Sequence, residues 1–527
     1  MKNVLLSSSA IVLALALAGC ATPVPQQLSA ANVPSNFSAP ITADAPIWPK
    51  ADWWKGFQSD ELNSLVDEAQ RDNLDLAVAA AQVMEAKANA EIAGSVLWPQ
   101  LGISGGADRT KTSRSQNTGI GALPAGRSTN NSFNLTGNAS WALDIWGKGQ
   151  AELRSADEAV KSSRFAKQAV ALTVISSTGS TYFNVLALRE RVAIAQSNID
   201  AAKRVLSITQ AKVTNGVSSR LDLAQQQAQV SGQEAQIPPL REAEREARYA
   251  LAILLGKLPE GFDVQGQNLD KIVAPAVRPG LPSELLRRRP DVAQAEANLA
   301  AAHANVDAAR AAFFPAIGLT GSGGFASAAI GTVIQGSNFG WSIGASLLQT
   351  IFDGGNLMGQ YRVSKAQQLQ LVATYRKTVL SAFQDVETSL GQVASLTQQE
   401  KLLTDEVNAA SEAFRISEIQ YREGVTDLLT VLTAQQTLFN AQDQLVQIKL
   451  ARIQADVGLY RALGGGWSEA DELATQAMPT ATAPVTPSAE PGPQTVPAAG
   501  IPTTPGPSQI PDEPIPLQQQ NRPPRGR

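Results

Sequence analysis

Two stretches of the chain, roughly 147–214 and 354–423, each run for just under seventy residues without a proline. Proline removes an amide donor and clashes with the preceding turn, so its absence leaves one continuous helix open to each stretch. At 1.5 Å per residue, each would extend about 100 Å. Such lengths lie far above the globular mean and indicate coiled-coil-like packing. Shorter helical stretches complete the set, at about 61–96, 219–255, 283–312 and 427–463. The last carries a three-and-four seam at Val431, Ala434, Leu438, Ala441, Leu445 and Ile448. Two short helices end to end, 219–255 with 283–312 or 427–463 with 61–96, equal one long helix. An antiparallel tube of long helices and stacked short ones accounts for every segment.

The segments recur in order. Asn73-Leu74-Asp75-Leu76 leads to Leu97-Trp98-Pro99-Gln100-Leu101-Gly102, as Pro290-Asp291-Val292 leads to Phe313-Phe314-Pro315-Ala316-Ile317-Gly318. Ile145-Trp146-Gly147-Lys148-Gly149 has its counterpart in Ile351-Phe352-Asp353-Gly354-Gly355. Asn215-Gly216-Val217-Ser218-Ser219-Arg220-Leu221 matches Glu423-Gly424-Val425-Thr426-Asp427-Leu428-Leu429. The chain is two copies of one unit, 61–265 and 283–465, joined by an equatorial linker at 266–282.

Each copy also holds two stretches of strand length. Phe133, Leu135, Gly137, Ala139, Trp141, Leu143 and Ile145 alternate with Asn134, Thr136, Asn138, Ser140 and Asp144. Phe339, Trp341, Ile343, Ala345 and Leu347 alternate with Gly340, Ser342, Gly344 and Ser346. This period of two is the strand signature. Leu101–Ala107 and Ile317–Phe325 alternate more weakly, and polar connections at about 109–132 and 326–338 make two long-looped hairpins. No other segment has the continuous apolar face needed to cover such a sheet. Strands of about ten residues, apolar on one side and polar on the other, suit a lipid-facing barrel. Four cannot close one, and open strand edges are not tolerated in lipid. The barrel is therefore expected to be shared, three chains giving twelve strands. The fold expected is an α+β membrane protein: four transmembrane strands per chain in a shared twelve-stranded trimeric β-barrel, continued by a long α-helical barrel, with an internal two-fold repeat.

Composition removes other classes. One Cys excludes a disulfide within the chain and any Cys-rich zinc site, and one His, His303, excludes two-His metal sites. A net charge of −4 gives no electrostatic reason to expect nucleic acid. Mean hydropathy of −0.10 argues against repeated apolar helical spans. No nucleophile elbow stands at a strand-to-helix turn, since the G-x-S-x-G spacings around Ser104 and Ser342 lie inside strand-like stretches, and there is no phosphate-binding loop or paired His-Glu motif. No enzyme and no cofactor are expected. Gly321-Ser322-Gly323-Gly324 reads as crowding relief in a strand, His303 as a helix-surface residue, and Arg287-Arg288-Arg289 as a solvated equatorial loop.

The two termini stand apart. Met1-Lys2-Asn3 and the apolar Val4–Ala18 form a secretory leader, residues 1–19. It ends in Leu17-Ala18-Gly19-Cys20, which resembles the bacterial lipoprotein cleavage box. That resemblance implies acylation at Cys20 and a lipid-anchored segment over 20–60. In such lipoproteins an Asp directly after the acylated Cys retains the protein at the inner membrane; Ala21 stands there instead, so the resemblance implies outer-membrane delivery. At the other end, residues 468–527 carry recurrent prolines from Pro479 to Pro524 and are expected to be disordered or extended.

With these features in place, Trp53-Trp54-Lys55-Gly56-Phe57, Asp60-Glu61-Leu62-Asn63-Ser64-Leu65, Arg288-Arg289-Pro290-Asp291-Val292 and Tyr421-Arg422-Glu423-Gly424-Val425 resemble TolC-like outer-membrane factors. The likeness is to the lipoprotein branch serving resistance-nodulation-division (RND) efflux pumps, and it covers about 48–465. It implies a homotrimeric exit duct in the outer membrane that extends into the periplasm. A periplasmic adaptor and an RND-type inner-membrane pump are the implied partners. It also assigns the adaptor-receiving tip to Gly216, Val217, Ser218, Arg220 and Leu221 with Gly424, Val425, Thr426 and Leu429. Relatives place an inward Asp four residues beyond Leu429. Here that position is Thr433, so the aperture is expected to rest on Leu429, with Asp427 or Asp222 nearby. The duct is expected to close at rest by packing at this tip and to open on adaptor contact. Two alternatives remain at this point: a duct for type I protein secretion, and a lipid-anchored coiled coil without a pore.

Overall fold

The computed structural model describes residues 37, 47–111, 129–275 and 282–468. Cys20, the leader and most of the Pro-rich segment lie outside these residues.

Among the described residues a 3-10 turn at Trp53–Phe57 comes first, followed by α1 (Asp60–Asp72), α2 (Leu74–Ser95), β1 (Gln100–Lys111), β2 (Thr129–Leu143) and α3 (Lys148–Thr214). Then come α4 (Arg220–Glu234), α5 (Ile237–Leu254), a single turn at Pro282–Leu285, and α6 (Pro290–Ala311). The second hairpin is β3 (Ala316–Ser327) with β4 (Phe339–Leu348), and α7 (Asn356–Glu423) and α8 (Leu428–Ala462) end the set. The long helices α3 and α7 have 67 and 68 residues. Among the described residues no helix is long and apolar enough to cross a membrane.

Three expected helices are interrupted, each for a local reason. The stretch 61–96 breaks at Asn73, whose backbone is extended. Asn73 caps α2 by accepting from the Leu76 amide at 3.1 Å, and its side-chain amide donates to the Leu254 carbonyl at 2.8 Å. The stretch 219–255 breaks before α5 because Pro238 and Pro239 cannot donate to the preceding turn. The stretch 283–312 breaks before Pro290, which starts α6 at a position where no amide donor is needed.

The four strands form one antiparallel sheet in chain order, β1-β2-β3-β4, so the two repeats join through β2 and β3. Register decides what each face presents. Ile103 lies opposite Gly137, Leu135 opposite Phe325, Trp141 opposite Leu319, and Leu319 opposite Ala345. Directly opposed residues share a face. One face is therefore apolar from β1 to β4, and the other carries Ser104, Asn138, Ser322 and Ser342. On that polar face the Asn138 amide donates to Ser104 Oγ at 3.1 Å, and Ser322 and Ser342 hydroxyls meet at 2.9 Å. The apolar face is uncovered: Leu101, Ile103, Trp341, Ile343 and Leu347 are all exposed. Gly324 serves the close strand spacing, since a Cβ there would run into the Leu135 carbonyl oxygen.

The core lies among the helices. Trp53 stacks on Tyr460 with ring centroids 4.7 Å apart, and Phe57 packs on Phe183, tying the first turn to α3 and α8. Arg189 of α3 pairs with Glu244 and Asp263 and donates to the Val264 and Gly266 carbonyls, clasping the segment after α5. Arg289 departs from the solvated loop expected of it. It is 9% exposed, donates to both Asp291 oxygens and to Asp385, and reaches the Ala462 carbonyl at 3.1 Å. Arg288 lies over the Trp48 ring at 4.5 Å. His303 is on the helix surface, as expected. The seam of α8 is buried at Val431, Leu438 and Ala441, then drifts to Val446, Ile453 and Val457. That drift is the mismatch between a 3.6-residue turn and a strict heptad.

Candidate functional site

Because α3 and α7 both start beside the sheet and run for nearly seventy residues, their C-terminal turns lie about 100 Å from it. The two turns are built alike. The Gly216 amide donates to the Val213 carbonyl at 3.0 Å, and Val217 donates to Lys212 at 2.9 Å. The Gly424 amide donates to Tyr421 at 3.1 Å, and Val425 donates to Gln420 at 2.8 Å. This pairing satisfies the last helical carbonyls only if the glycine is left-handed. Gly216 and Gly424 have φ of 74° and 83°.

Each return helix is then capped by its own side chains. Ser219 Oγ accepts from the Asp222 amide at 3.1 Å, and the Asp222 carboxylate accepts from the Ser219 amide at 3.0 Å. Ser218 adds its hydroxyl to Asp222 at 2.6 Å. The Ser218 hydroxyl and Ser219 amide hold the Asp222 carboxyl below the usual range. In the second turn Asp427 Oδ1 accepts from the Thr430 amide at 2.9 Å and its hydroxyl at 2.7 Å. Those bonds lower the Asp427 pKa, against an opposing push from the Asp222 charge.

What remains free on the turns is apolar and duplicated. Val217 and Val425 are 72% and 73% exposed, and Leu221 and Leu429 are 65% and 66% exposed. Arg220 is exposed at the start of α4, while Ser218 and Thr426 are half-buried. Thr433 is exposed one turn beyond Leu429, with its hydroxyl donating to the Leu429 carbonyl at 2.9 Å. Asp222 and Asp427 therefore serve as helix caps. Ser219 is a member of this site that the sequence reading passed over; the Ser-x-x-Asp spacing at 219–222 was its signal. Below the turns, Tyr421 bonds Thr209 at 3.1 Å and lies under the Lys212 ammonium at 4.5 Å. Val205, Phe414, Val431 and Leu438 pack the layer beneath. Among the described residues no cluster of His, Cys, Asp and Glu could hold a metal.

Comparison with known proteins agrees with this architecture. Residues 65–257 and 281–465 match the family model described as outer membrane efflux protein. The pyoverdine export outer membrane protein OpmQ of Pseudomonas aeruginosa is 40% identical over 468 residues, 89% of this chain and 97% of OpmQ. The toluene efflux pump outer membrane protein TtgC of Pseudomonas putida is 30% identical over 480 residues, 89% and 97% of the two chains. The solved CmeC outer membrane channel of Campylobacter jejuni superposes with a TM-score of 0.78 at 25% identity, over 86% of this chain and 96% of that one.

Proposed function

The chain belongs to the outer membrane efflux protein family, and from that premise we propose how this outer membrane efflux duct is assembled and fed. Three copies close their four-stranded sheets into one twelve-stranded barrel, and their helices continue it as a tube toward the inner membrane. Acyl chains on Cys20 add a lipid anchor to the barrel. A periplasmic adaptor seats on the Val217–Leu221 and Val425–Leu429 turns and delivers solutes from an RND-type inner-membrane pump. The duct conducts passively and transforms nothing.

The observation that carries this reading is the register of the sheet. An apolar face exposed across four strands, with β1 and β4 unpaired at its edges among the described residues, is stable only when lipid covers the face and further strands close the edges. The tip turns support the second half. Their exposed Val and Leu pairs recur in both repeats, so three copies present six similar apolar knobs to one annular partner. Relatives named for pyoverdine and for toluene share this chain plan, which supports placing substrate choice in the pump upstream.

The test is accumulation of a lipophilic fluorescent dye in cells lacking this protein, with and without an uncoupler. Retention rises in the deletant, and the uncoupler erases the difference. The wild-type gene restores efflux, while Val425→Asp, expressed and assembled normally, does not. A Val425→Asp protein that effluxes like the wild type would overturn the tip assignment. Retention unchanged by deletion across chemically distinct dyes would overturn the small-solute reading.

A further inference from the structure

At the junction between sheet and helices, the turn after β2 meets the turn before β3. The Trp146 ring stacks on Phe314 with centroids 4.9 Å apart and planes 19° from parallel, and Trp146 Nε1 donates to the Pro315 carbonyl at 2.8 Å. The internal repeat supplies this joint with a second set of parts. Trp146 corresponds to Phe352, after β4, and Phe314 corresponds to Trp98, before β1. Among the described residues of one chain those two rings are 89% and 73% exposed, beside the two edges of the sheet that no strand covers.

Resting on the trimer reading above, we infer that Phe352 stacks on the partner's Trp98, so that each seam between subunits repeats the joint already made inside each chain. The same correspondence carries the strand register over; the two hairpins obey it to within two residues, which keeps every face, as Ile103 opposite Gly137 and Leu319 opposite Ala345 show. Trp141 opposite Leu319 inside the chain becomes Leu347 opposite the partner's Ile103, and Gly137 opposite Gly323 becomes Ile343 opposite the partner's Ala107. Leu347, Ile343, Ile103 and Ala107 all belong to the apolar face, so the lipid-facing surface continues unbroken across the seam. A slip of one residue would turn one strand's apolar row into the lumen. The two joints differ in one respect. The Phe352 ring has no N–H, so the seam lacks the equivalent of the Trp146–Pro315 hydrogen bond and is the weaker of the pair.

The register is tested by oxidising the Ile103→Cys/Leu347→Cys double variant of the full chain, with single-cysteine controls. Covalent dimers and trimers form, because these strands sit at opposite edges of the open sheet and cannot meet within one chain. The Ile103→Cys/Ile343→Cys variant stays uncrosslinked, its cysteines being four residues out of register, or about 13 Å. The stack is tested by heat dissociation of the trimer. Phe352→Ala and Trp98→Ala each speed dissociation about threefold or more, and the double variant is no faster than either. Phe352→Trp slows it. A trimer that forms yet fails to crosslink at 103 and 347, or in which the two alanine effects multiply, overturns this seam and leaves the trimer reading intact. A wild-type chain that stays monomeric in the membrane overturns both.

Discussion

Asp456 of α8 is 8% exposed, and among the described residues its Oδ2 has no hydrogen-bond partner. Arg452, the cation that favours its charged form, is one turn away and is engaged by Glu400 at 2.5 Å. Burial is the main cause that lifts the Asp456 pKa from 3.8 to about 6; Arg452 opposes the shift and Glu400 adds to it. At about 1.4 kcal/mol per unit, the ionised form costs the folded state roughly 3 kcal/mol. The sign follows from linkage. The folded pKa lies above the unfolded one, so the cost is complete above about pH 6 and disappears below about pH 4. Asp456→Asn removes the charge while keeping the shape, and its stability relative to wild type should rise by about 2 kcal/mol between pH 4 and pH 8. An unpartnered buried amide carries its own cost, roughly 1–3 kcal/mol, but that cost does not depend on pH. The assay is thermal unfolding of the purified assembly followed by helical circular dichroism at several pH values. Every other titrating group cancels in the difference between the two proteins. Curves for variant and wild type that stay parallel from pH 4 to pH 8 would refute the buried-charge argument.

Two further perturbations probe the joints of the fold. Gly424→Ala places a Cβ in open space but at φ 83°, so it should cost about 1–2 kcal/mol of backbone strain; hydrogen exchange should accelerate around 418–432 with little change at the core, and unchanged exchange there would contradict the left-handed cap. Arg289→Met strips Asp385, Asp291 and the Ala462 carbonyl of their shared donor and should destabilise the chain by about 2–4 kcal/mol, with Arg289→Lys recovering only part of the loss in denaturant unfolding. Equal stability of wild type and Arg289→Met would show that the carboxylates and the carbonyl are served by solvent.

The elements of this protein that depend on local order are legible in its sequence. Period-two alternation marks β2 and β4, absence of proline marks α3 and α7, and Gly-Val followed by a capping residue marks both tip turns, because dihedral preference and amphipathicity act over a few residues. The duplication and the strand count even imply an open sheet that needs more copies. Other features had weaker local signals: the break before α5 was written in Pro238-Pro239, and Ser219 in its spacing to Asp222. What only the tertiary structure decided are encounters between distant segments. Arg289 is buried because Asp385 and the end of α8 converge on it from 96 and 173 residues away. Asn73 ends a helix because it reaches a carbonyl 181 residues distant. The pairing of β2 with β3, the Trp146–Phe314 stack and the isolation of Asp456 are of the same kind. Periodicity states which face of an element is apolar, but the partner of that face, and the charge left facing it, are set by packing between segments that are not neighbours in the chain.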